Sequence, residues 1–278
     1  MSTPQIAGPA VFGALAGTFL ALVEATSSPG SERHGRDTDC IWAGSSVSVA
    51  DINRVMSARL SGTDAEVEAR VTEIHRRFDG IPYTWWLDPG ATPPHLAEAL
   101  RWIAPAARRD LVPAMVLDLA ALPGQAGPGA TRNEPLVETV FAASRAEMVA
   151  AGALAAEGFG ASPEEAVPFG LLFEHTQTGP GATVRVALTR LAGRPAATAL
   201  GCLHDDVLGV YNVATLPDVR RQGLALAATV AILRDGAARG ARYAVLESTE
   251  EGLPLYRRLG FREVGRFDVL TIPGAPLA

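Results

Sequence analysis

The chain has 278 residues, a net charge of −6, and 48% hydrophobic against 19% charged side chains. That length suits two small domains, and the apolar content supplies a real core, which excludes a disordered polyelectrolyte. The acidic balance excludes a nucleic-acid binder that works through a clustered basic footprint. All 24 basic side chains are Arg, which removes Schiff-base chemistry, the lysine of ATP-type phosphate loops and any lysine general base.

Residues 7–23 carry no charge, and Phe12, Leu15, Phe19 and Leu22 recur at spacings of three and four. This is one buried face of an amphipathic helix. A secretion signal is not expected, because MSTPQ lacks a positive segment, and the apolar stretch is short for a membrane span. A cytoplasmic protein without membrane contact is therefore expected. Residues 27–39, rich in Ser, Gly and charge, read as a surface loop. Strands follow at 40–45 and 55–60. Val67, Val71, Ile74 and Phe78 mark a helix face that Asp79-Gly80 ends. Residues 81–88 make a strand closed by Pro89-Gly90, with Trp85 and Trp86 on opposite faces. A helix at 95–104 and a buried strand at 112–122 complete an alternating first half, as in an α/β layer structure.

The Gly- and Pro-rich stretch 122–135 reads as a linker, dividing the chain into domains 1–125 and 126–278. The second domain begins with helices around 144–157 and 163–173. Strands at 183–191, 196–203 and 207–215 come next, joined by hairpin turns. A helix after Pro217 carries Leu226, Val230, Leu233 and Ala237 on one face. A strand at 243–247, a short helix at 252–259 and a strand at 265–272 finish the chain. Cys40 and Cys202 are far apart in sequence; two buried reduced thiols are favoured over a single disulfide. The five histidines show no metal-ligand spacing, so no metal site is expected.

The most informative segment is YNVATLPDVRRQGLALAATVAIL, 211–233. A strand leads through Pro217 and Arg220-Arg221-Gln222-Gly223-Leu224-Ala225 into an apolar helix. Gly223 and Ala225 let an anion approach the backbone, and the unpaired N–H groups of the first helical turn form an anion site backed by the helix dipole. Arg220 and Arg221 add positive charge at its rim. Without a lysine this is no ATP-type loop, and without G-x-G-x-x-G it is no dinucleotide fingerprint.

Arg220-x-x-Gly223-x-Ala225 after VATLP resembles the pyrophosphate-binding signature of the GNAT superfamily of acyl-CoA-dependent N-acetyltransferases. VLESTEEGLPLYRRLGFREVG, 245–265, resembles that superfamily's second signature, with Tyr256, Leu259, Gly260 and Phe261 in register. The resemblance covers 183–272, about a third of the chain. IPYTWWLDPG and AMVLDL resemble the degenerate first half of a two-domain GNAT subgroup, which has no R-x-x-G-x-A equivalent here and is assigned no cofactor. The implied fold is α/β (α+β), with two GNAT-like mixed-sheet domains, each a central sheet flanked by helices.

The resemblance implies an acyl-CoA, acetyl-CoA first, lying between the strands 207–215 and 243–248. A bulge in the first strand would turn the N–H groups of Val213 and Thr215 toward the pantetheine and the thioester carbonyl. The N–H groups of Arg221, Gln222, Gly223, Leu224 and Ala225 would hold the diphosphate. Tyr256 is placed to protonate the departing thiolate, and Thr249 stands where many relatives carry Asn beside the pantetheine. Two departures stand out. Arg221 occupies a position where Gly is commonest, and the strand before the turn carries no Asp or Glu. The general base is left between Glu247 and a water held by Tyr211 and Asn212. The implied activity is direct transfer of an acetyl or similar acyl group to an amine of a small molecule or peptide, by a monomer or homodimer. A GNAT fold turned to another thioester reaction (decarboxylation, cyclisation) and a non-catalytic CoA-binding module are the alternatives.

Overall fold

The computed structural model describes residues 6, 8–27, 34–45, 47–78, 80–122 and 137–274. Its elements run α1 (Gly8–Thr26), β1 (His34–Arg36), β2 (Ile41–Ala43), β3 (Arg54–Met56), α2 (Asp64–Arg76), β4 (Tyr83–Leu87), α3 (Leu96–Ile103) and β5 (Arg108–Asp118) in the first half. The second half contributes β6 (Val137–Phe141), α4 (Arg145–Gly158), α5 (Pro163–Leu171), β7 (Val184–Leu191), β8 (Arg194–His204) and β9 (Val207–Thr215). It ends with α6 (Leu224–Ala238), β10 (Tyr243–Glu247), α7 (Leu253–Leu259) and β11 (Arg262–Ile272).

All eleven strands join in one mixed sheet, in the order β1-β2-β3-β4-β11-β5-β10-β9-β8-β7-β6. Each half supplies one parallel pair, β3 with β4 and β9 with β10. The halves then exchange strands: β5 lies between β10 and β11, and β11 lies between β4 and β5, all antiparallel. The expected pair of sheets is thus a single sheet in which each half completes the other.

Alternation along the strands sorts the core onto two faces. Trp86, Val116, Tyr211, Val245 and Phe267 face α1, α4 and α5. On the other side, Trp85, Tyr83 and Leu270 pack under α2 and α3, and Leu117, Leu208, Val210 and Leu246 pack under α6 and α7. Trp85 and Trp86 therefore do point to opposite faces, and both are buried.

Helix α1 buries Phe12, Leu15, Phe19 and Leu22. It is long and apolar enough by length and composition to cross a membrane, and half of that stretch is buried within the protein. Gly209 on β9 leaves room for it, since an added Cβ there would lie 2.7 Å from Thr18.

Several elements differ from the sequence reading. His34–Arg36 is a strand inside the expected loop, and β6 is an additional strand. The strand expected from 112 begins at Arg108. After a single 3₁₀ turn at Pro217–Val219, α6 starts at Leu224 and buries Leu224, Ala228, Ile232, Leu233 and Gly236; Ala237 is exposed. Of the linker 122–135, all but Leu122 lies outside the described residues, as does the proposed domain boundary. Cys40 and Cys202 are both free and buried, and burial pushes each thiol up to about 12.

Candidate functional site

β9 and β10 pair over three residues, Val207–Gly209 against Tyr243–Val245, and then part. β9 runs on to Thr215 along β8, with a register shift that sets Asn212 and Val213 opposite the single residue Ala199. Asn212 takes φ 49° at this bulge; Asn tolerates the left-handed region better than most side chains, and a bulge swings the strand out of line. Beyond it, Leu216 N–H donates to Ala196 O at 2.9 Å. Because N–H groups alternate along an extended strand, those of Thr215 and Val213 point the other way, into the opening toward β10.

The opening leads to the turn before α6. Arg221 has φ 66° and Gly223, the N-cap, φ 77°. An added Cβ at Gly223 would meet nothing within 4 Å, so the glycine serves backbone conformation and not packing. Helices α2, α4 and α5 are capped by the side chains of Thr63, Ser144 and Ser162, whereas α6 has no side-chain cap. Its N–H groups at Leu224, Ala225 and Leu226 precede the first that bonds back, Ala227 N–H to Gly223 O at 3.0 Å. With the positive end of the helix dipole behind them, they suit an anion. Arg221 and Gln222 are exposed beside them. Arg220 turns elsewhere, donating to Gly158 O at 2.7 Å and Thr215 O at 3.4 Å, so its side chain ties the turn to the carboxyl end of α4.

Tyr256 and Glu247 stand on opposite faces of the sheet at this opening. Tyr256, on α7, packs edge-on against Phe261 at 5.8 Å in the α6–α7 core. Burial pushes its phenol above the ordinary tyrosine range. Thr249 is exposed in the turn before α7, where its hydroxyl accepts from Gly252 N–H at 3.1 Å. Glu247 ends β10 on the α1 face and takes an ion pair from Arg54 Nη1 at 3.2 Å. Burial pushes its carboxyl up, and the Arg54 charge and hydrogen bond act against that. Tyr211 faces the same side, its hydroxyl 2.7 Å from Thr18 Oγ1, and burial followed by the Glu247 charge pushes the phenol well up. Arg54 and Thr18 had no signal in the sequence, since their partners lie in the other half of the chain.

The corresponding place in the first half is filled by its own side chains. Past the β3–β4 pair the chain stays joined, Leu60 N–H to Thr92 O at 3.0 Å and Thr92 N–H to Ala58 O at 3.2 Å. Asp88 is buried there and accepts from Arg59 at 2.9 Å and from Gly90 N–H at 2.7 Å. The N-terminus of α2 is closed by a capping box, Thr63 N–H donating to Glu66 Oε2 at 2.7 Å. Nearby, Asp37 and Asp39 approach Cys40 closely, but both carboxylates are engaged by Arg70, and Asp37 by Arg77 as well.

Residues 133–249 match the family model described as an acetyltransferase (GNAT) domain; the match stops short of Tyr256. The whole chain is similar in structure to a GCN5-related N-acetyltransferase from Kribbella flavida, with 22% identity, a TM-score of 0.66, and 94% of this chain and 96% of that one covered. A GCN5-related N-acetyltransferase from Sphaerobacter thermophilus aligns at 14% identity and a TM-score of 0.53, over 98% and 95%. A tandem GNAT protein from the clavulanic acid biosynthesis pathway aligns at 15% identity and a TM-score of 0.53, over 98% of both chains. No curated protein matches the sequence. Residues 133–249 thus match a GNAT acetyltransferase domain, and the fold of the chain is similar from end to end to that of solved GNAT structures, a tandem one among them.

Proposed function

We propose that this protein transfers an acyl group, acetyl in the first instance, from acyl-CoA directly to an amine of a small molecule or peptide. The observation that carries the reading is the continuity of the parted β9 and β10 with the uncapped N-terminus of α6. On this reading the thioester arm lies in the opening and the diphosphate at its far end. The N–H groups of Arg221 to Ala225 hold the diphosphate, and the Arg221 side chain adds charge at the rim. Arg220 holds the turn in place through Gly158. Val213 and Thr215 give their N–H groups to the pantetheine and to the thioester oxygen, on which negative charge grows during attack. Thr249, exposed at the same mouth, offers a hydroxyl to the arm.

In the transfer itself the amine nitrogen forms its bond to the carbonyl carbon and the carbon–sulfur bond breaks. Glu247, or a water beside Tyr211 and Asn212, takes the amine proton. The Tyr256 phenol hydrogen-bonds the departing thiolate from the other face and protonates it. A ternary complex is favoured over an acyl-enzyme, since Cys40 and Cys202 are buried and their thiols are held protonated.

The test is a calorimetric titration with acetyl-CoA of the wild type beside Gly223→Asp, followed by CoA release with a panel of amines. The wild type should bind and the variant should bind at least tenfold more weakly. The carboxylate repels the diphosphate there, and the positive φ keeps the backbone from relaxing away. A folded wild type that binds neither acetyl-CoA nor CoA would sink the transferase reading.

A further inference from the structure

The mouth of the opening on the α1 face is completed by the first half of the chain. Tyr211 and Glu247 each stand two residues beyond the last β9–β10 pair, Gly209 with Val245. Arg54 reaches Glu247 from β3, 193 positions earlier in the sequence. The two side chains are 11% and 7% exposed, so the pair is nearly dry. The guanidinium has little freedom to leave it. The Trp86 and Phe19 rings lie 4.1 Å and 4.5 Å from its central carbon, and its Nε–H donates to Asp51 O at 2.5 Å.

A carboxyl this deep keeps its proton unless a charge opposes the loss of water. Arg54 supplies that charge from β3. The other groups acting on or near Glu247 are its own backbone N–H, which favours ionisation, the Asp51 carboxylate, which works against it, the neutral Tyr211 phenol of β9, and the Thr18 hydroxyl of α1 that hydrogen-bonds the phenol.

We propose that Arg54 is a positioning residue for the transfer: it holds Glu247 as an anion at the mouth, so that an incoming ammonium group meets a fixed proton acceptor. Arg54 occupies Oε1, and Oε2 takes the ammonium proton and releases it to solvent, leaving a neutral amine to attack the thioester. Oε2 then takes the second nitrogen proton as the amide forms and passes it to solvent, and the Tyr256 phenol regains from solvent the proton it gave to the thiolate. This rests on the transferase reading above, and it selects acceptors that arrive as cations.

The experiment compares the wild type with Arg54→Met, Arg54→Lys and Glu247→Gln. Met keeps an unbranched apolar stem between the two rings, and thermal unfolding confirms that each variant is folded. The Glu247 carboxyl is followed by ¹³C NMR across pH, assigned by its absence from Glu247→Gln, and CoA release is measured over the same pH range with ethylamine and agmatine as probes. In Arg54→Met the Glu247 midpoint should rise by at least one pH unit. The acidic limb of kcat should rise with it, giving a tenfold or greater loss at pH values below the wild-type midpoint, with KM for acetyl-CoA unchanged. Arg54→Lys should recover most of both. A midpoint that stays within a few tenths of a unit overturns the proposal. So does a midpoint that moves while the acidic limb stays, since Glu247 is then not the proton acceptor; the unchanged acetyl-CoA reaction keeps the transferase reading standing. A wild type that binds acetyl-CoA and releases no CoA to either amine or to the wider panel overturns the transferase reading, and the proposal falls with it whatever the titration shows.

Discussion

Arg221 allows stability and affinity to be separated in one substitution. Its φ of 66° puts a long side chain in the left-handed region, which costs an L-residue roughly 1–2 kcal/mol. Glycine removes that cost but adds about 0.5–1 kcal/mol of backbone entropy to be lost on folding. Arg221→Gly should therefore be more stable by about 0.5–1 kcal/mol, which for a chain of this size raises Tm by about 1–3 °C. The same change removes an exposed cation from the rim of the α6 N-terminus. A solvated charge pair is worth roughly 0.2–1 kcal/mol, so acetyl-CoA should bind about 1.4- to fivefold more weakly. That deficit should shrink in high salt as screening removes the wild type's advantage. Thermal unfolding of the free protein and calorimetry at two salt concentrations measure both. A lower Tm would refute the strain, and an unchanged affinity at low salt would place the diphosphate away from Arg221.

Two further substitutions probe separate parts of the molecule. Tyr256→Phe should leave acetyl-CoA affinity and Tm nearly unchanged while kcat falls by about 10²-fold or more, the usual contribution of a positioned acid; kcat held within twofold would remove Tyr256 from the chemistry. Asp39 is held below the ordinary carboxylate range, chiefly by its hydrogen bond from Arg70 and against the effect of burial. A depressed folded-state pKa gives stability that is present above the unfolded value of 3.8 and lost as pH falls through the folded one. Asp39→Asn should therefore cost roughly 1–3 kcal/mol at pH 7, and the cost should fade on acidification below pH 3.8; a denaturation midpoint difference that is flat across pH would contradict the linkage.

What could be read from the sequence was what is written locally. The turn before Leu224, the helix that follows it and the short helix carrying Tyr256 sit within contiguous segments whose spacing carries their conformation, whereas the bulge in β9 is implied only by the resemblance to the GNAT signatures. The two outermost strands escaped because an edge needs no apolar alternation: His34–Arg36 is polar, and Val137–Phe141 is half-exposed along its length. Helix α6 was misphased because LALAATVAIL is apolar on every side, so only the true start at Leu224 sets its buried face. The use of Arg220 was also invisible, since nothing in its neighbourhood announces that Gly158 O will receive it. Arg54 with Glu247 is the extreme case, a contact made by topology alone.

That topology explains why a half whose own cleft is filled remains part of the site. β10 is held to β9 at only three positions, because the opening must begin there. On its other edge it pairs with β5 along its whole length, from Tyr243 with Asp118 to Glu247 with Ala114, and Ser248 N–H continues the contact to Pro113 O at 3.0 Å. The far wall of the opening is thus fixed by a strand of the first half, and the carboxylate at its mouth is held by another residue of that half. The first half can fill its own cleft with Asp88, Arg59 and the Thr63–Glu66 cap without losing either task. It cannot lose β5, because β10 and β11 would then lack the strand that joins them and Glu247 the backbone that fixes its height in the opening. In this chain the second half carries the parted strands and the uncapped helix terminus, and the first half fixes the geometry around them.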